Sequence, residues 1–261
     1  MRRSLLPLAL LAVFAFGGPL LYRIDPTAID LSRTVAAMSR AHPLGTDESG
    51  RDVLARLMTG GQVSLIVGLL AGIVALLVGT VVGALATARH RWLSAVTSRL
   101  LDAAMAVPAF FILLVTVTLF GGSTTTLVAA IGLTAWMGIA RLVRAESLSL
   151  RERDYVLAAR ALGQPPVALF ARHLLPHLVP TLVAAASVGV AQAVLTESAL
   201  SFLGLGIEPP MASWGNMLTG AQQNLSNAPW LAIYPGVLIV LTVLAANAIG
   251  ERIQPRTGLH N

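Results

Sequence analysis

The sequence predicts an all-α, polytopic membrane protein with about six transmembrane helices, on three observations. Of 261 residues, 56% are hydrophobic and only 11% charged, and mean hydropathy is +0.76; a soluble domain carries about 25% charged residues. The apolar residues fall into uncharged runs near the roughly 20 residues that a bilayer core about 30 Å thick requires. All 18 basic residues are arginines, and most lie between those runs, where basic side chains set topology.

The first run, 4–22, lies between Arg3 and Arg23. It reads either as an uncleaved anchor, from which a six-helix bundle follows, or as a signal peptide. Arg2-Arg3, a Leu/Ala/Phe stretch and Ala15-Phe16-Gly17 fit the second pattern. The second run, 63–88, carries Gly68, Gly72, Gly79 and Gly83, two small-xxx-small pairs suited to close helix packing. Residues 103–140 are too long for one span and break at Gly121-Gly122-Ser123-Thr124-Thr125-Thr126, which predicts a helical hairpin of about 101–120 and 127–145. Arg99 and Asp102, three apart, predict a local pair at the membrane surface. The fifth and sixth spans are 177–196 and 231–249, the latter after a loop rich in Pro, Asn and Gln.

With the N-terminus inside, the inside segments hold thirteen arginines, six of them (Arg141, Arg144, Arg151, Arg153, Arg160 and Arg172) around one long loop. The outside holds Arg23, Arg33, Arg40, Arg51 and Arg56, offset by Asp25, Asp30, Asp47, Glu48 and Asp52. Both termini are thus expected in the cytoplasm. Gly50-Arg51-Asp52 reads as structural, with Arg and Asp available to pair locally.

Composition also excludes functions. Without lysine there is neither a P-loop nor Schiff-base chemistry. Without cysteine there are no disulfides, thiol nucleophiles or cysteine-rich zinc sites. A net charge of +6 and pI of 11.1 would suggest nucleic acid in a soluble protein. Here the arginines report topology, so no nucleic-acid partner is predicted. The histidines at 42, 90, 173, 177 and 260 lie outside the spans or at their edges, which disfavours an intramembrane enzyme. His173 and His177 are four apart, but Pro176 intervenes and no adjacent carboxylate completes a metal site. No cofactor is implied. Glu197, near the outer end of the fifth span, is either a functional ionisable group or a helix-end residue meeting interfacial water.

The segment 146–177 is the most informative loop. Ser149 and Glu152 have capping-box spacing, and Asp154 is a second possible N-cap for a helix through Leu162. Gly163 can end that helix, Pro165-Pro166 suit the first turn of another through Leu174, and Pro176 closes the unit. Val156, Ala159 and Gly163 share one face; Tyr155, Ala158 and Leu162 share another. The small residues would admit a close partner, while an amphipathic helix in the headgroup layer fits the same spacing.

The stretch from Tyr155 to Gly163, followed by Arg172-His173-Leu174-Leu175-Pro176, resembles the EAA loop of permease subunits in binding-protein-dependent ABC importers. His42-Pro43-Leu44-Gly45-Thr46-Asp47, running on to Leu57, is similar to the dipeptide, oligopeptide and nickel branch of that family. So is Ser201-Phe202-Leu203-Gly204-Leu205-Gly206-Ile207-Glu208-Pro209-Pro210, continuing to Ser213-Trp214-Gly215. Leu157 stands where the family usually has Glu.

The resemblance implies a type I importer permease fold in a bacterial cytoplasmic membrane. It places an N-terminal helix and extracytoplasmic segment at 1–61, the permease domain at 62–250 and a cytoplasmic tail at 251–261. It also implies a second, homologous permease, two ATP-binding cassette subunits that hydrolyse the ATP, and a solute-binding protein. Ala158, Ala159 and Gly163 would form the surface docked on an ATPase, with Pro176 ending the loop. Trp214, Gly206 and Pro209 would belong to the face that meets the binding protein; interfacial anchoring also accounts for Trp214 and Trp230. Peptide cargo is the first expectation, with nickel, metal chelates and haem as alternatives. A self-sufficient secondary transporter would favour midplane carboxylates or symmetric broken helices; the chain has few intramembrane charges and no obvious repeat.

Overall fold

The computed structural model describes residues 2–253, so most of the predicted 251–261 tail lies outside the described residues. Helix α1 (Arg2–Ala12) passes through a π-helical turn, Val13–Gly17, into α2 (Gly18–Leu21). Its apolar part, Leu6–Leu21, is shorter than the other candidate spans. Helix α3 (Val53–Leu85) starts ten residues before the predicted span because the Asp52 carboxylate caps it, accepting the Ala55 N–H at 2.7 Å. Its early Arg56 is neutralised by Asp47 at 3.2 Å.

The predicted 101–120 span is not one helix. Amphipathic α4 (Arg91–Ala106) and apolar α5 (Ala109–Phe120) meet at 80° across Val107-Pro108. Proline cannot donate to the preceding turn and pushes the residue before it out of helical geometry, and Val107 is extended. The hairpin turn falls where the glycines predict it: Gly121 has φ +80°, and Ser123 caps α6 (Thr124–Leu150) by accepting from the Thr126 N–H.

Beyond a turn at 151–153 come α7 (Asp154–Ala161) and α8 (Pro166–Leu169). A π-helical turn at Phe170–Leu174 leads directly into α9 (Leu175–Phe202), and residues 166–202 are one continuous apolar helix. Pro176 therefore does not close the loop. It sits in the first turn of α9, where the wider π turn before it absorbs the missing donor. Neither predicted cap holds. Ser149 lies inside α6, Arg153 takes the N-cap position without a side-chain bond, and Asp154 is the first helical residue, where its charge still favours the helix dipole. The short α10 (Trp214–Ala221) starts with a Ser213/Asn216 capping box, and α11 (Trp230–Ile253) completes the bundle.

Among the described residues four helices are long and apolar enough to cross a membrane, and the α4–α5 pair, bent by 80°, counts as a fifth span only if its two arms are taken as one broken segment. At the centre α3 packs against α6 and α9. The two glycine pairs divide between these neighbours. Gly68 and Gly72 face Val194 and Val190 on α9; Gly79 and Gly83 face Ile139 and Val143 on α6. A Cβ at Gly72, Gly79 or Gly83 would come within 2.9, 2.7 and 2.6 Å of those side chains, so only glycine permits this separation.

The helices leave two ends. Residues 23–52, 121–123 and 203–229 gather at one, with Gly122 pressed against the Gly206 carbonyl. Residues 86–90 and 151–174 gather at the other, around Arg89, Arg151 and Arg160.

Candidate functional site

At the long-loop end, Asp47 organises a compact ion cluster. Its carboxylate accepts the backbone N–H groups of Ser49 and Arg51 at 2.9 Å each, Arg51 Nε at 2.7 Å and Arg56 Nε at 3.2 Å. Glu48 accepts a second Arg51 nitrogen at 2.9 Å. The predicted Arg51–Asp52 pair is replaced by this cluster, because Asp52 is occupied elsewhere. It caps α3 and accepts from the Tyr22 hydroxyl at 2.8 Å and His42 Nδ1 at 2.9 Å. Gly50, at φ +74°, lies against the Asp30 carbonyl, which leaves no room for a side chain. Asp47, Glu48, Arg51 and Arg56 line a cavity of about 320 Å³ whose far wall is Asn216, Thr219 and Gly220 of α10.

Beneath α10 lies a buried polar knot. Glu197 is 0% exposed and accepts from Ser64 Oγ of α3 and Ser201 Oγ, each at 2.7 Å. Ser64 Oγ also accepts the Trp214 backbone N–H at 3.3 Å, and the Trp214 indole donates to the Leu57 carbonyl at 2.9 Å. The carboxylate thus joins α3, α9 and α10 instead of meeting interfacial water. Trp214 is 0% exposed and Gly206 is buried against Ser201, so neither forms a docking surface; Pro209 alone of that predicted trio is exposed. Trp214 serves as the wedge that holds α10 on the bundle.

At the arginine end, α7 is fastened by one face. Val156 and Ala159 are buried with Ile139, Val143, Leu174 and Leu178. Ala159 is therefore a packing residue of this chain, not part of a surface open to a partner. Gly163, at φ +78°, makes the turn and has nothing within reach of a Cβ. The open face of α7 carries Tyr155 and Ala158, and beside it stand Leu162 (84% exposed), just past its end, and Val167 (81% exposed) of α8. His173 bonds Gln164 at 2.9 Å, while the Tyr155 ring stacks on His177 at 5.2 Å. Arg89, Arg151 and Arg160 line a small cleft behind the turn, and burial together with Arg160 holds the Arg151 guanidinium below the usual arginine range. The predicted Arg99–Asp102 pair does not form; among the described residues every Arg–carboxylate bridge lies within residues 30–56.

A bundle of apolar helices, a capped loop end and a short helix braced on the core together describe a helical membrane protein. Residues 54–258 match the family described as binding-protein-dependent transport system inner membrane component, and the chain belongs to that family. It is a multi-pass inner-membrane permease component of an ABC importer. It is 41% identical over 238 residues to a protein of Brucella suis biovar 1 whose name assigns it, provisionally, to peptide permeases; the match covers 90% of this chain and 79% of that one. It is 36% identical over 253 residues to the oligopeptide transport system permease protein OppC of Escherichia coli K12, covering 96% and 84%. The fold resembles the inward-facing MetNI methionine ABC transporter, with a TM-score of 0.59 and 18% identity over 77% of this chain and 97% of that chain.

Proposed function

We propose that this chain forms half of the translocation pathway of an ATP-driven importer of dipeptides or short oligopeptides. Residues 62–250 act as the permease domain beside a second, homologous permease. Two ATP-binding cassette subunits dock at the arginine end, which faces the cytoplasm with both termini. A solute-binding protein delivers cargo to the long-loop end. The names of the peptide permease relatives support the cargo class, and the arginine bias supports the orientation.

The observation that carries the coupling assignment is the two-sided character of α7. One face is locked into the transmembrane core through Val156 and Ala159, while Leu162 and Val167 stand out from it. A partner pressing on the open face moves a rigid lever joined on one side to α6 and on the other, through the unbroken 166–202 helix, to α9. Coupling therefore rests on Ala158 and Gly163 together with Tyr155, Leu162 and Val167, and not on the buried Ala159 or on Pro176 inside the 166–202 helix. Leu157 at the position of the usual motif Glu fits an apolar contact better than an ion pair.

The test is reconstitution of the co-purified complex in vesicles. Peptide-stimulated ATP turnover and uptake are expected, and Gly163→Leu should abolish both while membrane insertion persists. Recovery of the chain without any ATPase subunit, or uptake that proceeds without ATP, overturns the reading.

A further inference from the structure

We propose that the arginine end carries a binding site for one anionic phospholipid. Arg91, Arg99 and Arg144 hold its phosphate, and an acyl chain lies along the apolar side of α4.

Two concavities flank α4 and share Arg91, Ala95 and Arg99. The first, about 440 Å³, is bounded by Arg89, Arg91, Arg99 and Arg144, with Asp102 the one carboxylate present. None of these arginines has a carboxylate within 4 Å among the described residues, and Arg144 Nε is buried with no hydrogen-bond partner. Four guanidinium groups around one opening repel one another, and a phosphodiester supplies both the missing charge and bidentate acceptors. The second concavity, about 860 Å³, runs along Trp92, Val96, Leu100 and Ala103. A basic depression sharing its rim with a shallow apolar one along the same helix matches a lipid, with head and tail joined; a free anion would leave the apolar one uncovered.

The backbone sets this arrangement at the right depth. Helix α5 forms a hairpin with the spanning α6, and the 80° bend turns α4 away from that direction, toward the plane of the membrane. An amphipathic helix in that plane puts its basic edge at headgroup level and its apolar side among acyl chains. Trp92, 75% exposed, and the exposed Leu100 are on the apolar side. The wall of the basic depression is held firmly, since Ser94 and Ser98 hydroxyls both donate to the Ala86 carbonyl at the end of α3, at 2.6 and 3.4 Å. The site does not depend on which cargo the transporter carries.

The experiment is native mass spectrometry of the complex purified with its accompanying subunits and exchanged into nanodiscs of phosphatidylcholine and phosphatidylglycerol. Retention of phosphatidylglycerol over phosphatidylcholine is expected. The double variant Arg91→Gln/Arg99→Gln should lower it by about tenfold or more, from about 1 kcal/mol per basic residue at a membrane surface. Arg91→Lys/Arg99→Lys should retain the lipid, and Arg33→Gln at the opposite end should leave retention unchanged. Leu100→Asn should weaken it while leaving melting temperature intact. Equal retention of the two lipids, an unaffected Gln double variant, displacement of the lipid by inorganic phosphate alone, or an α4 face filled by a partner subunit with no lipid would each overturn the proposal.

Discussion

The Ser64 hydroxyl donates to the Glu197 carboxylate at 2.7 Å across 133 positions of sequence, and in doing so joins α3 to α9 directly beneath the Trp214 backbone. Replacing Glu197 with Leu leaves Ser64 and Ser201 without their acceptor in a buried setting, at a cost of about 1–3 kcal/mol per stranded group. Glu197→Gln keeps an acceptor oxygen and should lose less. Thermal unfolding in detergent is expected to rank the wild type above Gln and Gln above Leu. A Ser64→Ala/Glu197→Leu double variant should lose less than the sum of its parts.

The glycine seam makes a contrasting pair of expectations. Gly79→Leu drives a side chain into Ile139 and the Trp136 carbonyl, and overpacking of this kind costs about 1–3 kcal/mol or more. Gly138 has open space around it, so Gly138→Ala should hold or raise the melting temperature, because Ala is favoured over Gly in a helix by up to about 1 kcal/mol.

Asp47 is the keystone of the loop-end cluster. Asp47→Asn leaves Arg51 and Arg56 without its charge in a buried place, and breaking such a pair by one partner costs about 3–5 kcal/mol. The expected readout is an earlier melt together with faster proteolysis within residues 23–52.

On α7, position matters more than residue type. Leu162→Asp, at an exposed site, should leave folding and insertion unchanged and sharply reduce substrate-stimulated ATP turnover in the assembled transporter. Ala159→Asp, facing Leu174 and Leu178, should instead reduce the yield of folded protein. Equal effects on both properties from both variants would contradict the division of the two faces.

Because the chain has no cysteine, single cysteines report sidedness without background. Ser32→Cys and Glu152→Cys are both exposed positions. In intact spheroplasts, a membrane-impermeant maleimide is expected to label Ser32→Cys from outside and Glu152→Cys only after the membrane is opened.

Much of the framework was legible from residue order. Hydropathy runs marked the helices, and the Gly121-Gly122 break marked the hairpin. Gly163 marked the turn after α7. The bend at Val107-Pro108 had its signal in plain view, a proline inside an uncharged run, but uniform apolarity hid it. Pro176 misled in the opposite direction, since the π turn at Phe170–Leu174 carries the helix past it. The Asp47 cluster had only a weak signal, an excess of alternating acids and arginines over residues 47–56. Nothing local in the sequence showed that Asp47, and not Asp52, would gather the arginines.

By itself the sequence determined a helical membrane protein, its apolar segments and the asymmetry of its arginines, because these depend on composition along the chain and on the thickness of a bilayer. Only the tertiary structure decided which way each segment faces. Inside a membrane the lipid-facing and protein-facing sides of a helix are both apolar, so no periodicity tells Gly68 and Gly72 to meet α9 and Gly79 and Gly83 to meet α6. The same is true of Trp214 and Ala159, whose inward turn follows from contacts with residues far away in the chain, on α3 and α9. Packing chose those faces, and with them which residues remain free to meet a partner.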